Sequence, residues 1–363
     1  MSGWRISRRF LLCGLAVAAS AAAQRGLDRS QVQELERILT TEMARQSIPG
    51  LSVAVAAGGK LVWAAGFGLA DLENHVPAKT TTVYRLASIS KPFTAVAVMQ
   101  LVEQGKMDLE ASVEKYVPSF PKKPWPVTIR HLLCHQSGIR HYRDGAEIHS
   151  TRHYTDLIEP LQIFQNDPLL FEPGTRFSYT TYGYNLLGAA VEGASGMKFL
   201  DYLRRHIFEP AGLRRTRDDN VYDLIPDRAR GYRRVLGGKI ENCALADTSN
   251  KIPGGGLVGT VEDLVDFAIH LNGGTLLKPE TVRRMFTPQT TRDGKPTPYG
   301  LGWQIFERGG RRWVGHGGAQ QGVRTLLLMR PERGFAVALM ANLEGVNLEP
   351  AAGRIAAIVL GEE

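Results

Sequence analysis

The chain has 363 residues, 43% of them hydrophobic and 22% charged, an ordinary globular composition with room for one large domain or two modest ones. There is no low-complexity tract, fixed-period repeat or long linker. The formal charge of +8 includes Arg5, Arg8 and Arg9, and with no block of Lys or Arg in the remainder a nucleic-acid partner is excluded.

Those three arginines precede an apolar run, residues 10–23, too short to span a bilayer comfortably. It ends in Ala21-Ala22-Ala23, an A-x-A cleavage pattern, so residues 1–23 read as a secretory signal peptide. Ser7-Arg8-Arg9-Phe10-Leu11-Leu12 is similar to a twin-arginine signal. The expectation is an exported protein, periplasmic or secreted, whose mature part, residues 24–363, forms one domain without a transmembrane span. Cys13 lacks a small residue before it and is not read as a lipid anchor. Cys134 and Cys243 remain after cleavage, as a disulfide in an oxidising compartment or as two buried thiols.

Residues 28–44 predict a surface helix with Val32, Leu35, Leu39 and Met43 as its apolar stripe and Asp28 with Gln31 as a capping pair. Residues 51–57 and 61–67 flank Gly58-Gly59-Lys60 as a hairpin. Ser88-Ile89-Ser90-Lys91 then places a hydroxyl and an amine at i and i+3, on one helix face. A desolvated lysine, or one beside a second cation, has a lowered pKa and can take a proton from the serine. Pro92 belongs in a first turn, so the helix is expected to start near Ser88. The run from Phe93 to Val102 is apolar nearly all round and predicts a buried helix. The plain alternative is a Ser N-cap with a solvated lysine.

Residues 106–290 are punctuated by prolines and read as mainly short helices and loops. Strand signals return over 300–306, 312–317, 323–329 and 335–341 as an antiparallel meander, and 349–360 predicts a closing helix. Strands at both ends imply an α+β fold: one antiparallel sheet flanked by the N- and C-terminal helices, with 106–290 as a mainly helical insertion and a cleft between insertion and sheet.

Three further segments join Ser88-x-x-Lys91. They are the run from Pro173 to Gly188 with Tyr179-Thr180-Thr181, the run Gly254-Gly255-Gly256-Leu257 to Leu264, and Gly315-His316-Gly317-Gly318-Ala319 on a predicted strand. In this order they resemble the serine β-lactamase and penicillin-binding-protein superfamily, in its class C β-lactamase and D-aminopeptidase branch. The stretch from His131 to Tyr142 is especially similar to the serine β-lactamase-like proteins of mitochondria and their bacterial relatives.

The resemblance implies Ser88 as the acylated nucleophile, Lys91 as its proton acceptor, and Tyr179 as a partner of Lys91 in general base and acid steps. It implies an oxyanion hole from the backbone N–H groups of Ser88 and Ala319, and substrate contacts from Thr181, His316, Gly317 and Gly318. It implies no cofactor and no metal. The partner expected is a small-molecule or peptide substrate, with oligomeric state open. Two positions depart from the pattern: Thr181 stands where the motif has asparagine, and His316-Gly317 stand where a lysine and a hydroxyl residue grip a substrate carboxylate. If a charged His316 held an anionic substrate, activity would fall as pH rises through its pKa.

Plainer readings stand beside these. The lesser alternatives are Tyr179 as an ordinary buried aromatic and His316 as a structural histidine. His131, Cys134 and His135 sit at i, i+3 and i+4, a spacing open to a metal. Gly193-Ala194-Ser195-Gly196-Met197 lacks the last glycine of G-x-S-x-G. The leading functional reading is a serine hydrolase acting on an ester, peptide or β-lactam. The alternatives are a non-catalytic cell-envelope binding or sensor module of the same fold and, by analogy with the mitochondrial relatives, a self-assembling filament.

Overall fold

The computed structural model describes residues 26–362, so the signal-peptide reading lies outside the described residues. Helix α1 (Arg29–Gln46) opens with the capping box read from Asp28 and Gln31: Gln31 N–H donates to the Asp28 carboxylate at 2.8 Å, and Asp28 N–H to the Gln31 side chain at 3.1 Å. Strands β1 (Gly50–Ala57) and β2 (Lys60–Asp71) form a hairpin. Its two-residue turn, Gly58-Gly59, has positive φ at both positions, as the twist-compatible turn requires.

The sheet has seven strands. With β3 (Val76–Pro77), β4 (Gln304–Arg308), β5 (Arg311–Gln320), β6 (Val323–Arg330) and β7 (Phe335–Ala341), its order is β3-β2-β1-β7-β6-β5-β4. The two ends of the chain meet where β1 pairs antiparallel with β7, Leu51 opposite Ala341 and Val55 opposite Val337. Side-chain alternation divides the sheet's two faces. Leu51, Val53, Val55, Val337 and Leu339 pack outward with α1 and the C-terminal helix α5 (Glu349–Leu360). Ala54, Ala56, Ala338, Met340 and Leu327 face the other way, into the larger core.

That core holds α2 (Ser90–Glu103), α3 (Thr181–Ser195) and α4 (Val261–Asn272). α2 is buried from Ser90 to Leu101, as its all-round apolar sequence demands. Phe93 stacks on Phe267 of α4 at 4.0 Å between ring centroids. The region between α2 and β4 is mainly helical, with added short strands: Leu257–Gly259 and Arg217–Asp218 form one small sheet with Tyr84–Arg85, which precedes α2, and Tyr232–Arg234 pairs with Ile240–Asn242.

The structure sharpens three readings. α2 starts at Ser90, not Ser88, because a 3-10 turn (Ala87–Ile89) precedes it. The strand expected over 300–306 is β4, four residues later, because Gly302 has φ +93° and turns the chain where any Cβ would meet Ala95. Cys134 and Cys243, left open between a disulfide and two thiols, are free thiols, the first buried and the second half-buried. Among the described residues no helix is long and apolar enough to cross a membrane.

Candidate active site

Ser88 is half-buried at the centre of the 3-10 turn, directly after Ala87, whose φ is +50°. That left-handed backbone costs an alanine about 1 kcal/mol and persists only because its surroundings fix it. Leu86 N–H donates to Leu257 O at 2.8 Å, and the Thr325 hydroxyl donates to Leu86 O at 3.0 Å. From the first turn of α2, the Lys91 side chain reaches back so that Nζ lies 3.2 Å from Ser88 Oγ. Nζ also lies 2.6 Å from Gly254 O and 3.2 Å from Thr181 Oγ1. Lys91 is fully buried, and among the described residues it forms no ion pair. Burial first, and the charge of Lys251 second, hold its amine well below the ordinary lysine range.

A neutral amine has two N–H groups and one lone pair. Gly254 O and Thr181 Oγ1 accept the two N–H groups, which leaves the lone pair for the Ser88 hydroxyl. Thr181 thus serves Lys91 first. Its own N–H donates to His141 Nδ1 at 3.2 Å, and it opens α3, whose N-cap is Thr180.

Tyr179 lies just before that cap. Its ring centroid is 4.8 Å from Lys91 Nζ. It packs on the His135 ring at 4.2 Å, which fixes its orientation. Burial pushes its phenol well above the usual tyrosine range, so it is a neutral donor and not a phenolate base.

β5 supplies the opposite wall. Beyond Gly315 its outer edge is free of β4, while β6 continues on the inner edge. Gly317 N–H turns to that open edge, donating to Gln304 Oε1 at 3.4 Å. Backbone groups alternate along a strand, so Ala319 N–H points the same way. Gly318 permits the close approach: a Cβ there would sit 2.4 Å from Leu86 O and 2.2 Å from Thr325 Oγ1. Ala319 and Ser88 line one cleft of about 300 Å³.

His316 departs from the expectation of a charged substrate grip. It is buried, its Nε2 2.8 Å from the Tyr299 hydroxyl and its Nδ1 2.7 Å from Gly317 O. Burial, then the Lys91 charge, push it down to about 3, so the ring is neutral where the protein works. The chain of rings Tyr299, His316 and Tyr179 makes it a structural part of the wall.

His131, Cys134 and His135 do not converge on a metal. His131 Nδ1 accepts from Thr128 N–H at 3.3 Å, and His135 Nδ1 accepts from Thr180 N–H at 3.1 Å. Among the described residues no group of three His, Cys, Asp or Glu is placed to hold an ion.

Sequence reasoning missed Lys251, His141, Tyr142, Gln320 and Gln321, all of which line the cleft. Gln320 and Gln321 follow Ala319 directly and were open to inference from strand continuity. Lys251 sits three residues before Gly254 and carries no local signal.

Comparison with known proteins agrees with this geometry. The chain matches the Beta-lactamase family over residues 35–360. It is 32% identical to the human "Serine beta-lactamase-like protein LACTB, mitochondrial", across 85% of this chain and 76% of that protein. It is also 32% identical to Penicillin-binding protein 4* of Bacillus subtilis (strain 168), across 81% of this chain and 68% of that protein. Among solved structures it is similar to the octameric penicillin-binding protein homologue from Pyrococcus abyssi, with a TM-score of 0.80 at 28% identity over 92% of this chain and 78% of the other. With a buried, counterion-free lysine against a half-buried serine and the family match spanning nearly the whole sheet and insertion, the chain belongs to the Beta-lactamase family and is a serine hydrolase.

Proposed function

We propose that this hydrolase works through an acyl-enzyme on Ser88, formed from an ester, peptide or β-lactam amide and released to water. The observation that carries the reading is Lys91, buried without a counterion and 3.2 Å from Ser88 Oγ. Its lone pair accepts the Ser88 proton as Oγ attacks the carbonyl carbon. The developing oxyanion takes hydrogen bonds from the Ser88 and Ala319 N–H groups, donors of a kind whose loss typically costs about 2.7–4 kcal/mol. Tyr179, a neutral phenol whose ring lies against Lys91, passes a proton to the leaving group and recovers it from Lys91. Water then attacks the ester carbonyl as Lys91 again accepts the proton, while Tyr179 protonates the departing Ser88 Oγ and recovers its proton from Lys91. Thr181 holds Lys91, and His316, Gly317 and Gly318 shape the strand wall against which the substrate lies.

Export belongs to the same proposal and is supported by the arginines, the apolar run and the A-x-A pattern of residues 5–23. Intact-mass measurement after treatment with a fluorophosphonate or a penicillin tests the chemistry. The expected result is one adduct per chain, mapped to Ser88 and lost in Ser88→Ala. Folded protein that takes no adduct from several acylators would overturn it.

A further inference from the structure

Apart from the effect of its charge on Lys91, Lys251 takes no part in the chemistry above, yet its side chain is nine-tenths buried and lines the cleft that contains Ser88. It sits over the Tyr142 ring at 5.2 Å, and its Nζ has one long hydrogen bond, to Ile148 O at 3.3 Å. Among the described residues no carboxylate lies within ion-pair distance of it. Asp219, whose charge reaches Lys251, is occupied by Arg85, Arg228 and Thr248. Glu344, also on the cleft, accepts from Gly322 N–H at 2.8 Å. A buried cation without an anion is costly, and an arriving anion recovers that cost.

Two neighbours add donors. Gln320 Nε2 is buried, without a partner, and its residue lines the same cleft. The Gln321 amide donates to His149 Nδ1 at 2.9 Å, which puts the ring proton of His149 on Nε2. Gln321 Oε1 is a buried acceptor without a partner and suits an N–H of the same ligand.

Direction along β5 decides which part of a substrate meets these groups. His316 and Gly317 stand on the Tyr179 side of Ala319, where the leaving group takes its proton. Gln320 and Gln321 follow Ala319 in the other direction along the chain and line the cleft with Lys251 and His149. We infer that Lys251, with Gln320 beside it, binds a carboxylate carried on the acyl portion of the substrate, so that this enzyme selects acidic acyl donors. The inference rests on the acyl-enzyme reading. It moves the anion grip from His316, which is neutral, to the opposite wall.

Two p-nitrophenyl esters of equal chain length test it: the valerate and the glutarate monoester, after subtraction of uncatalysed hydrolysis. For the wild type, kcat/KM for the glutarate ester is expected to exceed that for the valerate by roughly tenfold or more, the scale of a hydrogen bond to a charged group. Lys251→Met brings that ratio close to one, chiefly through KM, and Lys251→Arg retains part of it. Gln320→Ala lowers it by less. The ratio cancels any influence of Lys251 on Lys91, because both esters use the same base. A wild-type ratio at or below one, or a ratio unchanged in Lys251→Met, overturns the inference. If Lys251→Met does not fold, the wild-type ratio and Gln320→Ala decide. Failure of the acyl-enzyme reading is distinguishable: Ser88 then carries no adduct with either ester.

Discussion

In the proposed mechanism Lys91 serves as a base because folding strips it of water and, among the described residues, gives it no counterion. The same desolvation destabilises the fold. The unfolded chain holds the Lys91 proton up to about pH 10.5, whereas the folded amine releases it well below that value. Between the two values the unfolded state binds the extra proton, so this residue's contribution to stability rises with pH across that window, and its cost is full below the folded pKa. Lys91→Met is therefore expected to melt higher than wild type at neutral pH, with an advantage that shrinks toward pH 10. Scans at several pH values check this, and a constant difference would contradict it. The same variant should lose about 10²–10⁴-fold in kcat/KM, the usual contribution of a positioned base. The proposed mechanism requires the neutral amine, so kcat/KM should rise with pH through the Lys91 titration. It should show no descending limb from His316, whose ring is already neutral above about pH 3. A pH–rate profile in which His316→Lys abolishes a fall between pH 6 and 8 would restore the charged-histidine role.

Elements bring Lys91, Ser88 and the Ala319 N–H together, and the closest fit is that of β5 against the Ser88 turn. Gly318→Ala would drive a Cβ into Leu86 O and Thr325 Oγ1. The strand must then retreat and carry Ala319 N–H away from the oxyanion, for an expected loss of roughly 10²–10³-fold in kcat. Retained KM and a near-native melting curve would show that the donor moved and the fold did not; unchanged kcat would sink the assignment. Element formation was legible where local periodicity and burial agree. β7 and α5 have the ends their apolar patterns predict, residues 335–341 and 349–360, and Asp28 with Gln31 caps α1. It was illegible where tertiary contacts override local preference. Pro92 is compatible with a helix start at Ser88, but the left-handed Ala87 delays α2 by two residues. The strands Tyr84–Arg85 and Arg217–Asp218 are too short to show any period and exist only because Leu257–Gly259 lies between them.

Ser88, Lys91 and Tyr179 could be read from motifs at the scale of the whole chain because each motif is local. Lys251 could not, since the Ile148 carbonyl it meets is 103 residues away in sequence and only the path of the insertion joins them. The sheet is itself a long-range product: β1 and β7 pair across nearly the full chain, and each presents one side-chain row to the outer helices and the other to the catalytic core. That division separates stability from chemistry. Ile355 of α5 is fully buried in the outer cluster and touches nothing in the cleft. Ile355→Ala removes its packing and should cost about 2–5 kcal/mol, as large-to-small core changes do. Because the sheet's inner row keeps its own partners, kcat/KM per folded molecule should stay within about twofold of wild type at temperatures where the variant remains folded. Denaturant midpoints measured beside ester hydrolysis decide the matter. A proportionate fall in kcat/KM would mean that the outer helices set the position of β5, and that the sheet transmits packing from one face to the other.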